Sequence, residues 1–228
     1  MRLFELTSGA SDYRFSPFVW RTKLALAHKG LDAEMVATRF TDKTPFAPSG
    51  SKTVPVIEDD GNWVAESWDI ACYLEDSYPD PPPLFGGAMG RQQTRFINHW
   101  ADRTVLMNLF PMLAADICAL LDDTDAAYFR KTREDRLGCS LEDAREGRDE
   151  RIRDLRRQLS PLRAAVRESP FLCGPSPAYA DYVCYTPFLW ASCCSTFQVL
   201  EADDPIADWG ARLADCFDGL ARGAKRCA

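Results

Sequence analysis

The chain is poor in histidine, in paired cysteines and in long apolar runs. Only two histidines, His28 and His99, occur in 228 residues, too few for an imidazole-rich metal or catalytic cluster. Nine cysteines (72, 118, 139, 173, 184, 193, 194, 216 and 227) are present, and none stands in C-x-x-C spacing. An odd number scattered through apolar stretches reads as mostly buried, reduced thiols, with Cys193-Cys194 packing a helix; zinc and disulfide frameworks are set aside. No run approaches the roughly 18 apolar residues of a membrane span. The opening stretch "MRLFELTSGASDYRF" lacks the apolar core of a secretory signal, so a cytoplasmic protein is expected. Positive charge is in deficit as well. Twenty-seven Lys and Arg against 34 Asp and Glu give a net charge of -7, which argues against nucleic acid or an anionic membrane as partner.

What is present is an alternation of elements over the first eighty residues. "RLFEL" (2–6) and "AEMVATRF" (33–40) read as strands. Between them "SPFVWRTKLALAHKG" has Ser16 to cap a helix, Pro17 at its first position and Gly30 past its end. Strand, helix and strand in some forty residues form a βαβ unit with a parallel pair. A polar loop (41–53) follows, then a strand at 54–58, an Asp-Gly hairpin signal, a strand at "WVAE" and a helix from Ser67. "PDPPPLFGG" is a stiff, interrupted linker. Beyond it only helical periodicity appears: 90–121 with a kink expected at Pro111, 126–137, roughly 141–168, 178–196 and 205–221. The Arg-rich part of 141–168 has acids interleaved at helical spacing and reads as a solvated face. The domain expectation is 1–79, a linker at 80–89, and an all-helical 90–228.

Pro55 interrupts the strand "TVPVI", and proline has no N–H for a ladder, so an edge strand is the plain reading. Taken in order, "RFSPFVWRTKLALAHKG", "TVPVI" followed by "AES" at 65–67, and "YADYVCY" at 179–185 suggest more. With these motifs the chain resembles the cytosolic glutathione S-transferases over nearly its whole length. The resemblance implies an α/β thioredoxin-like domain followed by an all-α domain. It also implies glutathione as co-substrate, no metal, and a homodimer. Within that superfamily the chain is most similar to bacterial glutathione-dependent β-aryl etherases and their fungal relatives.

The resemblance assigns roles residue by residue. The Val54-Pro55 bond is expected to be cis, which would turn the Val54 N–H and C=O outward to pair with the cysteinyl part of glutathione. Ser67, at a helix N-terminus, would hold the γ-glutamyl carboxylate and Glu66 the ammonium; read alone, Ser67 is an N-cap. Ser16 is the candidate thiol activator, with the cap as its plain reading and Tyr13 as the rival hydroxyl. A free thiol has a pKa of about 8.5, so a hydroxyl donating to sulfur would enrich the thiolate. Serine at this position cannot form the mixed disulfide that a cysteine there would allow. The family's hydroxyl or amide residue three positions before Asp181 is replaced by Ala178, which weakens the expected capping box. An apolar aromatic acceptor would sit among Phe15, Phe18, Phe96, His99, Trp100 and Trp190, although aromatics at helical spacing usually pack a core. Two functions are therefore carried forward: a transferase attacking an aromatic electrophile, β-aryl ether cleavage being one such reaction, and a ligandin-type protein that binds glutathione and apolar aromatics without turnover.

Overall fold

Short alternating stretches build the sheet. In the computed structural model, which describes residues 1–8, 13–80 and 82–227, β1 (Arg2–Leu6) pairs in parallel with β2 (Glu34–Thr38). On its other side β1 meets β3 (Val56–Asp59) antiparallel, and β3 turns back into β4 (Asn62–Ala65), giving the order β2-β1-β3-β4. The hairpin turns on Asp60 (φ 48°) and Gly61 (φ 87°), two successive positive-φ residues, as the Asp-Gly signal requires. The ladder begins at Val56 and not at Val54, because Pro55 has no N–H to contribute. The loop expected at 41–53 holds a short 3₁₀ turn, Thr44–Ser49, whose Phe46 is buried against Phe4.

Helices α1 (Pro17–His28) and α2 (Ser67–Ser77) complete this thioredoxin-like layer. Pro81, within the expected linker, lies outside the described residues, and α3 (Ala88–Trp100) starts inside the 80–89 span. The remainder is helical: α4 (Met107–Ala119), α5 (Asp123–Leu137), α6 (Leu141–Arg145), α7 (Arg148–Gln158), α8 (Ser160–Glu168), α9 (Tyr179–Cys194) and α10 (Pro205–Gly219). The kink expected at Pro111 sits one turn earlier, as a wide π-type segment at Ala101–Leu106. A proline ring collides with the carbonyl four residues before it, here Met107, so the irregular turn sits just upstream. The helix expected over 141–168 is three helices, broken at Gly147 (φ 64°) and again before Pro161. No helix among the described residues is long and apolar enough to cross a membrane.

Helix α9 is buried nearly all round and forms the axis of the helical domain. Its Cys184, Cys193 and Cys194 are buried, and burial pushes the Cys193 thiol up to about 12, so it packs as a protonated apolar group. The two domains are joined by buried polar contacts. Arg21 of α1, fully buried, donates to Asp102 Oδ1 (2.6 Å) and Thr186 Oγ1 (3.2 Å), and Asn98 donates to the other Asp102 oxygen (2.7 Å). Tyr179 OH donates to the Ser67 carbonyl (2.7 Å), which ties α9 to the first turn of α2.

Candidate functional site

Ser16, Val54 and Glu66 meet on one wall of a cleft of about 350 Å³ between the sheet domain and helices α4, α5 and α9. Local sequence places each of them. Ser16 precedes Pro17, and its Oγ accepts the Val19 N–H at 3.4 Å, a long and therefore weak cap. A serine hydroxyl has one proton to donate besides the lone pairs used in capping, so the two roles are compatible. The rival Tyr13 lies elsewhere: its OH donates to the Arg226 carbonyl (3.1 Å), Lys225 covers its ring, and it is absent from the cleft wall.

The Val54-Pro55 bond is cis. Pro55 O accepts the Glu66 N–H at 3.2 Å, whereas the Val54 N–H and C=O find no partner among the described residues. Glu66 is held at φ 70°, ψ 128°, a conformation that a side-chain-bearing residue rarely adopts and that costs on the order of 1–3 kcal/mol. That backbone places the exposed Glu66 carboxylate at the cleft, where Thr53 Oγ1 donates to it at 3.4 Å. Ser67 follows as the first residue of α2. It is buried, its hydroxyl makes no hydrogen bond among the described residues, and it adjoins the cleft wall through Glu66. The N–H groups of Ser67, Trp68 and Asp69 are first-turn donors without an intrahelical acceptor. An anion at this end would meet both those donors and the positive end of the helix.

Of the expected acceptor residues, Phe15, Phe18 and Trp190 line the cleft, and Phe96, His99 and Trp100 do not. Phe96 and His99 are exposed on α3 and Trp100 is half-buried. They precede the cleft-lining Leu106 by roughly two to three helical turns, and the π-type segment after Trp100 lies between. A wider turn takes an extra residue and shifts the helical phase, so residues before and after it no longer share one face. The helical wall is made instead by Leu106, Met107 and Phe110, and by Tyr128, Phe129, Arg133 and Arg136 of α5.

Sequence reasoning missed the charge on this wall. Arg39, Lys43, Lys52, Arg133 and Arg136 line the cleft, and Glu66 is its single acid among the described residues. Arg39 is paired with Asp122 and with the buried Asp125, which also accepts from Thr41 N–H (3.1 Å) and Thr41 Oγ1 (2.7 Å). Lys43 lies over the Tyr128 ring at 5.9 Å; burial and the neighbouring Arg133 push its pKa down. Burial also pushes Arg133 down, with Arg136 adding repulsion. The signal in the sequence was the spacing of Phe129, Arg133 and Arg136, which puts them on one face of α5.

Two domain families match the chain. Glutathione S-transferase, N-terminal domain, covers residues 15–77, and Glutathione S-transferase, C-terminal domain, covers residues 93–215. The glutathione S-transferase-like protein ustS of Aspergillus flavus is 28% identical over 63% of this chain and 54% of its own length. Glutathione transferase omega-1 of Caenorhabditis elegans is 27% identical over 78% of this chain and 62% of its own length. The chain thus spans between about half and three-fifths of those relatives. Solved structures superpose over more of it. A glutathione transferase from Phanerochaete chrysosporium gives a TM-score of 0.82 at 24% identity, covering 93% of this chain and 95% of that one. A glutathione S-transferase of Ceriporiopsis subvermispora, solved in complex with glutathione, gives 0.72 at 25% identity, covering 96% and 94%.

Proposed function

The chain belongs to the glutathione S-transferase family, and on that premise we propose that it binds glutathione in this cleft and directs its thiolate at an apolar aromatic electrophile. The observation that carries this reading is the juxtaposition of the Val54 backbone, unpaired among the described residues, the Glu66 carboxylate and the Ser16 hydroxyl around one cavity, with Ser67 beside Glu66 just behind its wall. The Val54 N–H and C=O suit the cysteinyl peptide group, as an added strand would. Ser67 and the first turn of α2 suit the γ-glutamyl carboxylate, and Glu66 the ammonium beside it. Lys43 and Lys52, on the loop before Val54, suit the second carboxylate.

This placement brings the sulfur toward the start of α1, where Ser16 donates its hydroxyl proton in a hydrogen bond to the thiolate. Each unit by which the thiol pKa falls corresponds to about 1.4 kcal/mol of preference for the charged form. In the reaction the sulfur forms a bond to an electrophilic carbon while that carbon's bond to its leaving group breaks. The leaving group departs with the electron pair. With a β-aryl ether, the substrate class suggested by the subgroup the sequence resembles, the departing group is an aryloxide that then takes a proton from water. Disulfide exchange through residue 16 is not available, because a hydroxyl cannot form the mixed disulfide.

The test pairs calorimetry with turnover. Ser67→Ala removes a partner of a charged, partly desolvated group, a loss of about 1.5–3 kcal/mol, so glutathione affinity should fall roughly ten- to hundredfold. Unchanged affinity in the folded variant would remove Ser67 from the site. Turnover of chlorodinitrobenzene, isothiocyanates, peroxides or β-aryl ether ketones with glutathione supports the transferase; binding with no turnover across that panel supports the ligandin-type reading.

A further inference from the structure

The cleft carries more positive charge than glutathione needs. Among the described residues five cations and one acid line it, in a chain of net charge -7. Arg39 is neutralised by Asp122 and Asp125, but Lys43, Lys52, Arg133 and Arg136 have no ion pair among the described residues. Glutathione has two carboxylates. With one on Ser67 and the other on the Lys43–Lys52 side, Arg133 and Arg136 remain without an anionic partner on the α5 wall, Arg136 donating to Met107 Sδ at 3.3 Å.

Their surroundings make that lack consequential. The Arg133 guanidinium lies against the rings of Phe40 (5.4 Å) and Phe129 (4.8 Å), and Arg136 lies over Phe110 (5.5 Å). Arg133 is half-buried, and among the described residues its guanidinium donates to the neighbouring Thr132 hydroxyl at 2.9 Å. The rings attract the guanidinium face but leave N–H donors along its edge that only an acceptor can satisfy. A purely apolar acceptor entering the cleft would strip away more of its water and worsen this. A ligand that carries its own carboxylate would satisfy the fork of N–H donors and could keep its ring on the aromatic wall.

We propose that the acceptor is an aromatic acid, an electrophilic aryl compound bearing a carboxylate, with its ring against Phe110, Phe129 and Trp190 and its carboxylate on Arg133, seconded by Arg136. Arg133 is then the residue that sets acceptor specificity. The inference rests on this cleft being the acceptor site of a glutathione-dependent reaction. The carboxylate is a spectator, and bond making and breaking proceed at the sulfur as described above.

The test separates binding from chemistry. Calorimetry compares 2-naphthoate with 2-naphthamide, equal in shape and differing in charge, on the wild-type protein with and without glutathione. The acid should bind at least about tenfold more tightly. Arg133→Met, which keeps an unbranched apolar stem on the rings, should erase most of that ratio, and Arg136→Met should reduce it. With glutathione present, the ratio of kcat/KM for 4-chloro-3,5-dinitrobenzoate over chlorodinitrobenzene, each normalised to its uncatalysed rate, should fall in parallel. Equal affinity for acid and amide in the wild type overturns the proposal, as does a preference that survives both substitutions. If Arg133→Met does not fold, Arg136→Met and the wild-type pair still decide. Glutathione binding without acid preference sinks this inference alone; acid preference without glutathione binding sinks the transferase reading and leaves the anion pocket standing.

Discussion

Asp181 shows how one side chain takes over a missing motif partner. Ala178, at the N-cap of α9, has no side-chain oxygen, and its carbonyl accepts the Asp181 N–H at 3.0 Å instead. The Asp181 carboxylate then collects three donors: Leu172 N–H (2.8 Å), Ala178 N–H (3.1 Å) and Trp209 Nε1 (3.0 Å). Burial nevertheless pushes its pKa up, with those donors opposing the shift. Asp181→Asn keeps the shape but turns an NH₂ toward one N–H, leaving a buried donor unpaired. We expect a loss of about 1–3 kcal/mol in denaturant unfolding; an unaltered midpoint and slope would show that the three bonds are dispensable. At this scale the cis Val54-Pro55 bond and the corner where Ser16, Val54 and Glu66 meet were legible in the sequence, because Ser16-Pro17, Val54-Pro55 and Glu66-Ser67 are local motifs of consecutive residues. Arg133 and Lys43 were not, because a charge on a helix or loop faces water unless the fold closes over it.

Among the elements, the sheet, the hairpin and the helical character of the second half were readable from periodicity and punctuation. Phase was not. Pro111 marked an irregularity in the sequence but not its place or type, and the π-type turn at 101–106 shifts the helical phase between Phe96, which is outside the cleft, and Phe110, which lines it. The break at Gly147 was visible as a glycine, and it takes the left-handed φ of 64° that glycine adopts at no steric cost. Helices α5 and α6 are held together by Arg130, which donates to Glu134 (2.9 Å) and to both Glu142 oxygens (2.8 and 2.9 Å). Arg130 holds the Glu142 carboxyl down at about 2. The folded value lies below the unfolded one, so this contribution is present above about pH 4.3 and is lost as pH falls toward 2. The pair is exposed, so its worth is small and screened by salt. Carboxyl NMR should place the Glu142 midpoint well below 4, and Arg130→Gln should return it to the ordinary glutamate range. A normal midpoint in the wild type would dissolve the bridge.

At the scale of the molecule, the Arg21–Asp102–Asn98 contacts and the Tyr179–Ser67 hydrogen bond lock the helical domain onto the sheet domain. The cleft inherits its shape from that lock, which is why its walls could not be assembled from motifs on either side alone. Helix α3 also presents Met89 and Phe96, seven residues apart and 76% and 74% exposed, on one outward face. Two exposed apolar side chains of this size are a place where the homodimer expected from the family resemblance would make contact. Light scattering at micromolar concentration should give twice the 25.6 kDa chain mass, and Phe96→Asp should move the population toward monomer; a wild-type mass of one chain would rule the dimer out. The central claim, that this cleft binds glutathione and activates its thiol through Ser16, is tested most directly by following thiolate absorbance of bound glutathione against pH. The bound thiol should ionise well below about 8.5, and Ser16→Ala should raise that midpoint while glutathione stays bound. Melting of the variant is followed alongside, because losing the α1 cap costs about 1 kcal/mol. A bound thiol that titrates like free glutathione in the wild type, or a midpoint that Ser16→Ala leaves in place, would contradict the account.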